Sequence, residues 1–412
     1  MGMHIGIAGA GLLGRLLALQ LSRGGHRVEV FDPAAGAAPP LQSCAFSTET
    51  TELIASSPSA AYAAGWTAAG MLSPVAELEC ANVQVFAWGL RSLELWPQII
   101  AKLSQPVSFC ALGSLLLAHR TDEGAARRVV DLLTHKAPQE HAPQRLTPEQ
   151  LRALEPAVHG PAHAWLLPHE AHIHTVQAMA AMADAASLSG TRWHWGHSVH
   201  TVSARTLSSV QGVHHFDWVF DVRGTGANST PRIRGEAVES TPRIRGEAVK
   251  STPRIRGEVA ESTPRIRGVR GEIFWLHAPG VTLQRPLRLL HPRHRVYLVP
   301  RPGNVVVVGA SEIESEDRSP VSLRSTVELL AAAHSIVPEL AEARVIHSEA
   351  NLRPALPDNL PLLQTQNGIT CINGLFRHGW LLAPALVERA VAELANAQHA
   401  SSNESIELAT QL

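Results

Sequence analysis

The feature that most constrains the fold lies within the first 32 residues. A short apolar run, Ile5-Gly6-Ile7-Ala8, leads into the glycine pattern Gly9-Ala10-Gly11-Leu12-Leu13-Gly14 and then into leucines with helical spacing. Gly24-Gly25 ends that stretch, and a second apolar run closes on Asp32. The order of strand, glycine turn, helix, strand and acid is typical of a unit that holds a dinucleotide.

Each part of this unit suits such a ligand. Gly9 permits a tight turn, Gly11 lets the backbone approach a pyrophosphate, and Gly14 brings the helix against the strand. The helix N-terminus points its N–H groups and its dipole at the phosphates, and Asp32 can accept a hydrogen bond from a ribose hydroxyl. The pattern predicts a Rossmann-type domain but does not separate FAD from NAD. Glycines that serve only a turn are the alternative.

Length, net charge and hydrophobicity limit the classes of function that the chain can have. The 412 residues suggest two or three domain-sized units, or one ligand-centred fold with an inserted lobe. The 35 Lys and Arg residues against 36 Asp and Glu residues give a net charge of -1, which argues against a protein that mainly grips nucleic acid or an anionic membrane. A small neutral or zwitterionic substrate fits better. No apolar run reaches the roughly 18 residues of a membrane helix, and segment 5–10 lacks the basic leader of a signal peptide.

Metal and disulfide chemistry are not indicated. The four cysteines stand far apart without a CxxC pair: Cys44, Cys80, Cys110 and Cys371. We therefore expect no structural zinc and no disulfide framework, and a cytoplasmic location is the simplest. His172 and His174 stand apart from the closely spaced set His194, His197 and His200. In that set a spacing of three places strand neighbours on opposite faces, so we expect no metal.

Two segments look inserted. Residues 34–64 are rich in Ala, Ser, Thr and Pro without sustained periodicity, which predicts a mobile loop. Residues 229–267 carry a repeat with a period of eleven, whose units begin at Ser229, Ser240, Ser251 and Ser262. Each unit contains both Pro and Gly, so a continuous coiled-coil helix is excluded. With ten basic and six acidic residues over 229–272, the alternatives are a solvated loop and an arm that contacts RNA or a partner.

The remaining periodicity alternates between helical and strand character. It predicts helices over 83–103, 123–133, 325–333 and 385–397, and strands over 193–203, 218–222, 297–300, 305–309 and 370–373. Residues 301–304, Arg-Pro-Gly-Asn, predict a hairpin turn between two of these strands.

With these blocks in place, the chain resembles the FAD-dependent amine oxidoreductases of the D-amino-acid oxidase class, and within it the glycine oxidases of thiamin biosynthesis. The resemblance covers almost the whole chain outside the two inserted segments. It is carried by the glycine turn with Asp32, by 67–74 (TAAGMLSP), 270–272 (RGE), 297–301 (YLVPR) with 309–312 (GASE), and by 352–361 (LRPALPDNLP) with 374–384 (GLFRHGWLLAP).

The resemblance implies an α/β fold in which a Rossmann-type FAD-binding domain is joined to an antiparallel-sheet substrate domain. The FAD-binding domain would comprise 1–90, 150–228 and 346–400, and the substrate domain 91–149 and 268–345, with 401–412 as a flexible tail. The implied cofactor is noncovalent FAD. Its predicted contacts are Gly9, Gly11, Leu12, Leu13, Gly14, Asp32, Ala69, Gly70, Met71, Val199, Gly224, Gly226, His378, Gly379, Trp380 and Leu381.

The resemblance also implies a substrate site. Arg353 would grip a substrate carboxylate, Tyr297 would wall the site, and Arg377 would lie beside the flavin ring. A fixed carboxylate suits the planar fork of Arg better than the point charge of Lys. The alternatives are an Arg353 that pairs with Asp358, a Tyr297 that belongs to the core, and a structural Arg377.

The chain departs from the family pattern at three positions of this site. Asn351 and Leu375 replace a Gly and a His that often stand there, which puts the ring contacts in question. Glu312 stands where relatives vary and is expected to bias the pocket against larger acidic substrates.

The expected activity is oxidation of a small amino acid, such as glycine or sarcosine, to an imine, with oxygen as acceptor. Rival interpretations are a related amino-acid dehydrogenase, a tRNA-modifying flavin oxidase with a basic face, and an inert flavin-binding protein. A homo-oligomer is a further expectation, and the nine tryptophans are expected to serve packing and not nucleic-acid stacking.

Overall fold

The computed structural model describes residues 2–39, 62–229, 265–291 and 295–410. Most of the predicted mobile loop over 34–64 and most of the repeat over 229–267 lie outside these ranges, so both predictions concern residues that the structure does not describe. The two ends of the repeat are described, and they meet. Asn228 donates through its side-chain amide to the Ile266 carbonyl, and its Oδ1 accepts from the Ile266 N–H at 3.2 Å.

The strands of the described residues, in chain order, are β1 His4–Ala8, β2 Arg27–Asp32, β3 Met71–Leu72, β4 Phe109–Cys110, β5 Ser114–Ala118, β6 Gln144–Leu146, β7 His163–Leu167, β8 Ala171–Ile173, β9 Arg192–Trp195, β10 Val199–Ser203, β11 Thr206–Ser209, β12 Gly212–His215, β13 Trp218–Asp221, β14 Arg267–His277, β15 Leu287–Leu290, β16 Arg295–Arg301, β17 Val305–Gly309, β18 Arg344–Ala355, β19 Leu362–Gln366 and β20 Ile369–Asn373. The α-helices are α1 Leu12–Arg23, α2 Ala64–Thr67, α3 Pro74–Glu77, α4 Val83–Ile100, α5 Glu123–Lys136, α6 Pro148–Leu154, α7 Thr175–Leu188, α8 Leu323–Ile336 and α9 Gly379–Thr410.

A six-stranded sheet carries the N-terminal unit. Its order is β19-β20-β13-β1-β2-β9, and the neighbours from β20 to β9 pair in parallel. Ile5 and Ile7 of β1 are fully buried, because a central parallel strand is covered on both faces. Helices α1, α7 and α9 pack into one core with this sheet. The parallel sheet leads the carboxyl ends of β1, β2 and β13 to a common edge, where a ligand binds in such folds.

An eight-stranded sheet forms the second lobe. Its order is β18-β14-β17-β16-β15-β5-β7-β6, with antiparallel neighbours throughout except the parallel pair β15 and β5. The longest pairing joins β14 to β18 over the full length of β14. Two side chains of this sheet, Tyr297 and Arg353, come from β16 and β18, which flank the inner strands β14 and β17.

Sheet membership differs from the predicted domain boundaries at two strands. β7 lies in a segment predicted for the FAD-binding domain, and β18 does so from residue 346 onward, yet both pair along their length with strands of the eight-stranded sheet. Long-range hydrogen bonding decides this membership, which a local pattern does not show. The rest of the predicted division stays a prediction.

Two predicted elements need correction. The strand over 193–203 is two strands, β9 and β10, in different sheets, because Gly196 turns the chain with a φ of +72°. The last helix begins at Gly379 and not at 385, so Pro384 lies inside it. That helix also continues to Thr410, where a flexible tail over 401–412 was expected. The hairpin between β16 and β17 is present as predicted.

Candidate active site

A cavity of about 1240 Å³ runs between the two lobes from the glycine turn to the eight-stranded sheet. Of the predicted site residues, those that line it are Gly9, Gly11, Leu12, Leu13, Asp32, Ala69, Gly70, Met71, Val199, Gly224, Gly226, Tyr297, Arg353, Arg377, His378, Gly379, Trp380 and Leu381. Gly14 does not line the cavity. Its role is packing, because an added Cβ there would strike the Gly9 carbonyl oxygen.

The cavity end at the glycine turn is built mainly from backbone. The Gly9 N–H donates to the Phe31 carbonyl at 2.8 Å, and a φ of +106° at Gly9 makes the turn. The Asp32 carboxylate accepts from the Ala10 N–H at 2.6 Å and from the Ala34 N–H at 2.9 Å. Asp32 is thereby fixed at the end of β2, and each oxygen retains a lone pair for a ligand hydroxyl.

The segment Ala69-Gly70-Met71 enters the cavity from the opposite side. Gly70 has a φ of +79°, and an added Cβ would collide with the Ile173 carbonyl oxygen of β8. Arg301, at the end of β16, donates to the Ala69 carbonyl and, at 2.5 Å, to the Ile173 carbonyl. Burial lowers the pKa of Arg301 to about 10. The sequence analysis included Arg301 in the block 297–301 that carries the family resemblance but gave it no role.

Arg353 projects from β18 into the far end of the cavity. Its Nη1 donates to the Ser311 carbonyl at 3.0 Å and to the Arg270 carbonyl at 3.4 Å. Burial lowers the pKa of Arg353, against the opposing charge of nearby groups. Among the described residues no carboxylate lies within ion-pair distance of its guanidinium. The alternative pairing with Asp358 is not seen, and Asp358 instead accepts from the Leu360 N–H at 3.0 Å.

Arg377, in contrast, is neutralised by a carboxylate that the sequence analysis missed. Glu77, the last residue of α3, accepts from Arg377 Nε at 2.8 Å, shares a 2.9 Å hydrogen bond with His378 Nε2 and accepts from Arg288 Nη2 at 3.3 Å. Burial opposes the charge of Glu77, but Arg377, His378 and Arg288 hold the pKa of its carboxyl well below the usual range. An acid within the apolar run around Val75 and Ala76 was the signal that could have identified it.

Tyr297 combines its two interpretations. It lines the cavity, and it also packs against the buried cluster of Ala69, Ile273, Val299 and Val307. Burial raises the pKa of its phenol, although Arg353 and other nearby cations oppose that shift. Tyr297 is therefore a neutral wall of the cavity near pH 7.

The departures from the family pattern have clear contacts. Asn351 donates to Thr67 Oγ1 at 2.9 Å and to the Tyr62 carbonyl at 3.2 Å, and Leu375 is buried at the cavity wall. Glu312 accepts from Arg377 Nη1 at 3.5 Å. Glu312 thus supplies a second negative charge beside Arg377.

The N-terminus of α9 faces the cavity. Gly379, Trp380 and Leu381 form its first turn and line the cavity wall. A helix N-terminus presents unpaired N–H groups and a positive dipole end. Because α9 starts at Gly379 and not at the predicted residue 385, that positive end lies at the cavity wall.

The described residues contain no group of three or more His, Cys, Asp or Glu side chains that could hold a metal ion. In the same part of the chain, no helix is long and apolar enough to cross a membrane. Cys80, Cys110 and Cys371 are free thiols, and none of these three lines the cavity.

Comparison with known proteins decides the family. The sequence model of the DAO family, FAD dependent oxidoreductases, matches residues 4–394. The chain belongs to this family. It is 33% identical over 398 residues to a Rhizobium etli protein named as a thiamine biosynthesis oxidoreductase, ThiO, covering 96% of this chain and 98% of that protein. It is also 30% identical over 119 residues to a glycine oxidase of Geobacillus kaustophilus, covering 28% and 31% of the two chains.

Solved structures show the same fold. The crystal structure of glycine oxidase from Geobacillus kaustophilus matches with a TM-score of 0.74 and 22% identity over 96% of this chain and 94% of that one. Iminodiacetate oxidase from a Chelativorans species matches with a TM-score of 0.71 and 21% identity over 95% of each chain. The predicted fold class, family and FAD cofactor are confirmed.

The residues present fit FAD. The cavity reaches from the glycine turn, where phosphates would lie, to the α9 N-terminus. Gly379 lines the cavity, and an added Cβ there would meet none of the described neighbouring atoms within 4 Å. His378 Nδ1 is buried without a protein partner, which leaves a polar atom for the ligand. The individual contacts assigned to FAD stay predictions.

Proposed function

We propose that this FAD-dependent oxidoreductase oxidises a small primary or secondary amino acid of the glycine or sarcosine type to its imine. Water would hydrolyse the imine, or the imine would pass on for thiazole synthesis in thiamin formation. Oxygen is the proposed electron acceptor, with peroxide as product. The thiamine biosynthesis oxidoreductase and the glycine oxidase among the relatives support this substrate class. A cytoplasmic location is part of the same proposal.

One observation carries the proposal. Among the guanidinium groups that line the cavity, those of Arg353 and Arg377 differ in whether a carboxylate lies beside them. Glu77 and Glu312 neutralise Arg377, whereas the half-buried Arg353 has only carbonyl oxygens as partners among the described residues. A cation with little exposure to water that keeps unused N–H donors favours an anionic ligand, and the fork of Arg suits a carboxylate. An amino acid brings that carboxylate.

The side chains then position the reacting carbon. Arg353 holds the carboxylate, and the neutral phenol of Tyr297 closes the wall beside it, so the Cα–N bond is oriented within the cavity. When bound, FAD supplies a two-electron acceptor for the hydride that leaves Cα. The amine must be neutral for its lone pair to form the C=N bond, and its N–H proton leaves to solvent. Among the cavity-lining carboxylates, Glu77 is hydrogen-bonded to Arg377, Arg288 and His378, and it is not assigned as a base.

The overall reaction balances in electrons and protons. The amino acid loses two electrons and two protons, and oxygen takes up two of each to give hydrogen peroxide. Water then adds across the C=N bond and releases the amine nitrogen. The positive N-terminus of α9 at the cavity suits negative charge that accumulates on the cofactor side.

The test uses the purified, flavin-loaded protein under anaerobic conditions with glycine, sarcosine and other small amino acids. We expect the visible flavin absorption to bleach and to return with peroxide formation when oxygen is admitted. Bleaching without peroxide, but with turnover on an artificial quinone, indicates an amino-acid dehydrogenase. A flavin that no small amino acid bleaches contradicts the proposed function.

A further inference from the structure

Two glycines of the eight-stranded sheet lie beneath the substrate-facing side chains. Gly271 is in β14, and Gly309 ends β17. Neither has a positive φ, so the backbone conformation at these positions does not require glycine. A glycine inside a strand weakens the strand and often marks a close approach by another group. The atoms that approach Gly271 and Gly309 therefore indicate why these positions lack a side chain.

Arg353 lies directly over Gly271. An added Cβ on Gly271 would lie 2.5 Å from Cζ, Nη1 and Nη2 of Arg353 alike. Arg353 is paired with Val269 in the ladder and is a diagonal neighbour of Gly271, within reach of a long side chain. The side chain crosses β14 at this glycine and reaches the Ser311 carbonyl just beyond β17. The guanidinium therefore packs directly against the backbone of Gly271; we call this packing position its seat.

Tyr297 packs in the same way against the backbone of Gly309. It pairs directly with Gly309 across β16 and β17, and Gly309 pairs with Ile273 on its other side. An added Cβ on Gly309 would lie 2.7 Å from the phenolic oxygen and 2.8 Å from Cζ of Tyr297. Side chains from the two flanking strands therefore converge over the two inner strands, each above a glycine.

We propose that Gly271 and Gly309 are positioning residues that seat the Arg353 guanidinium and the Tyr297 phenol, and so set where the substrate carboxylate is held. The inference rests on the proposed function for its kinetic consequence. A methyl group at either position lifts the side chain above it out of its seat. For Arg353 that movement breaks the hydrogen bond to Ser311 and shifts the carboxylate anchor relative to the reacting carbon.

The kinetic test is a double-mutant cycle. We expect Gly271→Ala to raise KM for glycine roughly tenfold to a hundredfold, because a misplacement of about 1 Å costs that much. In the Arg353→Ala background the same substitution should change KM by less than about twofold, since the side chain it displaces is gone. Full additivity of the two substitutions overturns the proposal. The same cycle applies to Gly309→Ala with Tyr297→Ala.

Gly268→Ala is the matched control in the same strand. Gly268 is also buried, and its added Cβ would approach Leu352 Cδ1 at 3.0 Å, with no Arg353 atom among its nearest neighbours. We expect its KM for glycine to stay within about twofold of the parent. An equal rise in KM for Gly268→Ala and Gly271→Ala overturns the proposal, because the effect would then belong to the strand.

A readout without substrate separates this inference from the proposed function. In a crystal structure of FAD-loaded Gly271→Ala we expect the Arg353 guanidinium to leave its seat and lose Ser311, whereas an unmoved guanidinium overturns the inference. If the parent oxidises no amino acid, the proposed function fails. The position of the guanidinium in this crystal structure still tests whether Gly271 positions Arg353. If Gly271→Ala is insoluble, the soluble, FAD-bound double variant Gly271→Ala/Arg353→Ala supports the inference, and an insoluble double variant overturns it.

Discussion

The two ends of the cavity use different chemistry. At the glycine turn, the ligand-facing groups are backbone atoms and one carboxylate, Asp32, which two N–H groups hold in place. At the eight-stranded sheet they are charged side chains with little exposure, and Glu77 bonds there to Arg377, Arg288 and His378. The first end should therefore be sensitive to added atoms, and the second to lost charge. Four substitutions or deletions test that difference.

The largest effect is expected for Glu77→Gln. Removing one member of a buried ion pair costs about 3–5 kcal/mol, because the remaining charges stay buried without a partner. We expect a corresponding loss in the free energy of unfolding, measured by urea denaturation of the flavin-loaded protein. Glu388→Gln is the control, since its partner Arg91 is exposed and little should change.

The stability difference between the parent and Glu77→Gln should depend on pH. The folded-state pKa of Glu77 is depressed below its ordinary value of 4.5, so its contribution is fully present above about pH 4.5 and is lost as the pH falls through the folded-state value. The stability difference between parent and Glu77→Gln should therefore narrow on acidification. A difference that widens at low pH would show that Glu77 is not held as the anion.

The second largest effect is expected for Arg353→Ala. Truncating one member of a desolvated pair with the substrate costs about 2–5 kcal/mol, roughly a 30-fold to several-thousand-fold loss of kcat/KM. Arg353→Lys should recover part of this, because an ammonium lacks the planar fork. The deciding comparison is an amine without a carboxylate, whose slow turnover should barely change. Equal losses for both substrates, with flavin bound, would make Arg353 a structural residue.

At the other end, Gly11→Ala should weaken FAD binding without loss of charge. Gly11 lines the cavity, and among the described residues its added Cβ has only Ala63 as a near neighbour, at 3.3 Å. Overpacking of about 1–3 kcal/mol corresponds to roughly a 5-fold to 150-fold rise in the Kd for FAD. Flavin fluorescence titration of the apoprotein measures it. The control is Gly36→Ala, where an added Cβ meets no atom of the described residues within 4 Å. Unchanged affinity in Gly11→Ala would place the pyrophosphate elsewhere.

The smallest effect is expected outside both ends, for deletion of residues 229–261. Asn228 and Ile266 already bond to each other, and the deletion places the last repeat unit after Asn228. Loop closure changes by only about 0.6 kcal/mol per doubling of length. Flavin content, Tm and KM should stay near the parent values. Loss of flavin or solubility would show that the repeat is structural.

The contrast between the two ends also explains what the sequence could predict. The glycine turn and Asp32 lie within one short stretch, so their spacing carries the geometry. Glu77 and Arg377 are 300 residues apart, and no local pattern joins them. The substrate-site roles of Arg353 and Tyr297 were predicted only through the family resemblance and stay predictions. Their positions over Gly271 and Gly309 depend on the strand register, which the sequence does not show.

Element boundaries failed for similar physical reasons. The sequence analysis started the last helix at residue 385, directly after Pro384, yet Pro384 lies within α9. The proline removes one backbone hydrogen bond to the Trp380 carbonyl, and that carbonyl instead accepts from Trp96 Nε1 at 3.0 Å. The Leu382 N–H donates to the His378 carbonyl at 2.9 Å, which extends the helix toward the cavity. The apolar and aromatic residues from Trp193 to Ser203 conceal the turn at Gly196, which only the backbone conformation reveals.

Arg301 has a consequence for how the enzyme moves. Its guanidinium is buried and joins the strand that carries Tyr297 to the Ala69 and Ile173 carbonyls on the opposite wall. If one lobe rotated away from the other, the buried guanidinium would lose both carbonyl acceptors together. That loss is unfavourable because no water replaces the acceptors. The two walls should therefore behave as one rigid body during turnover.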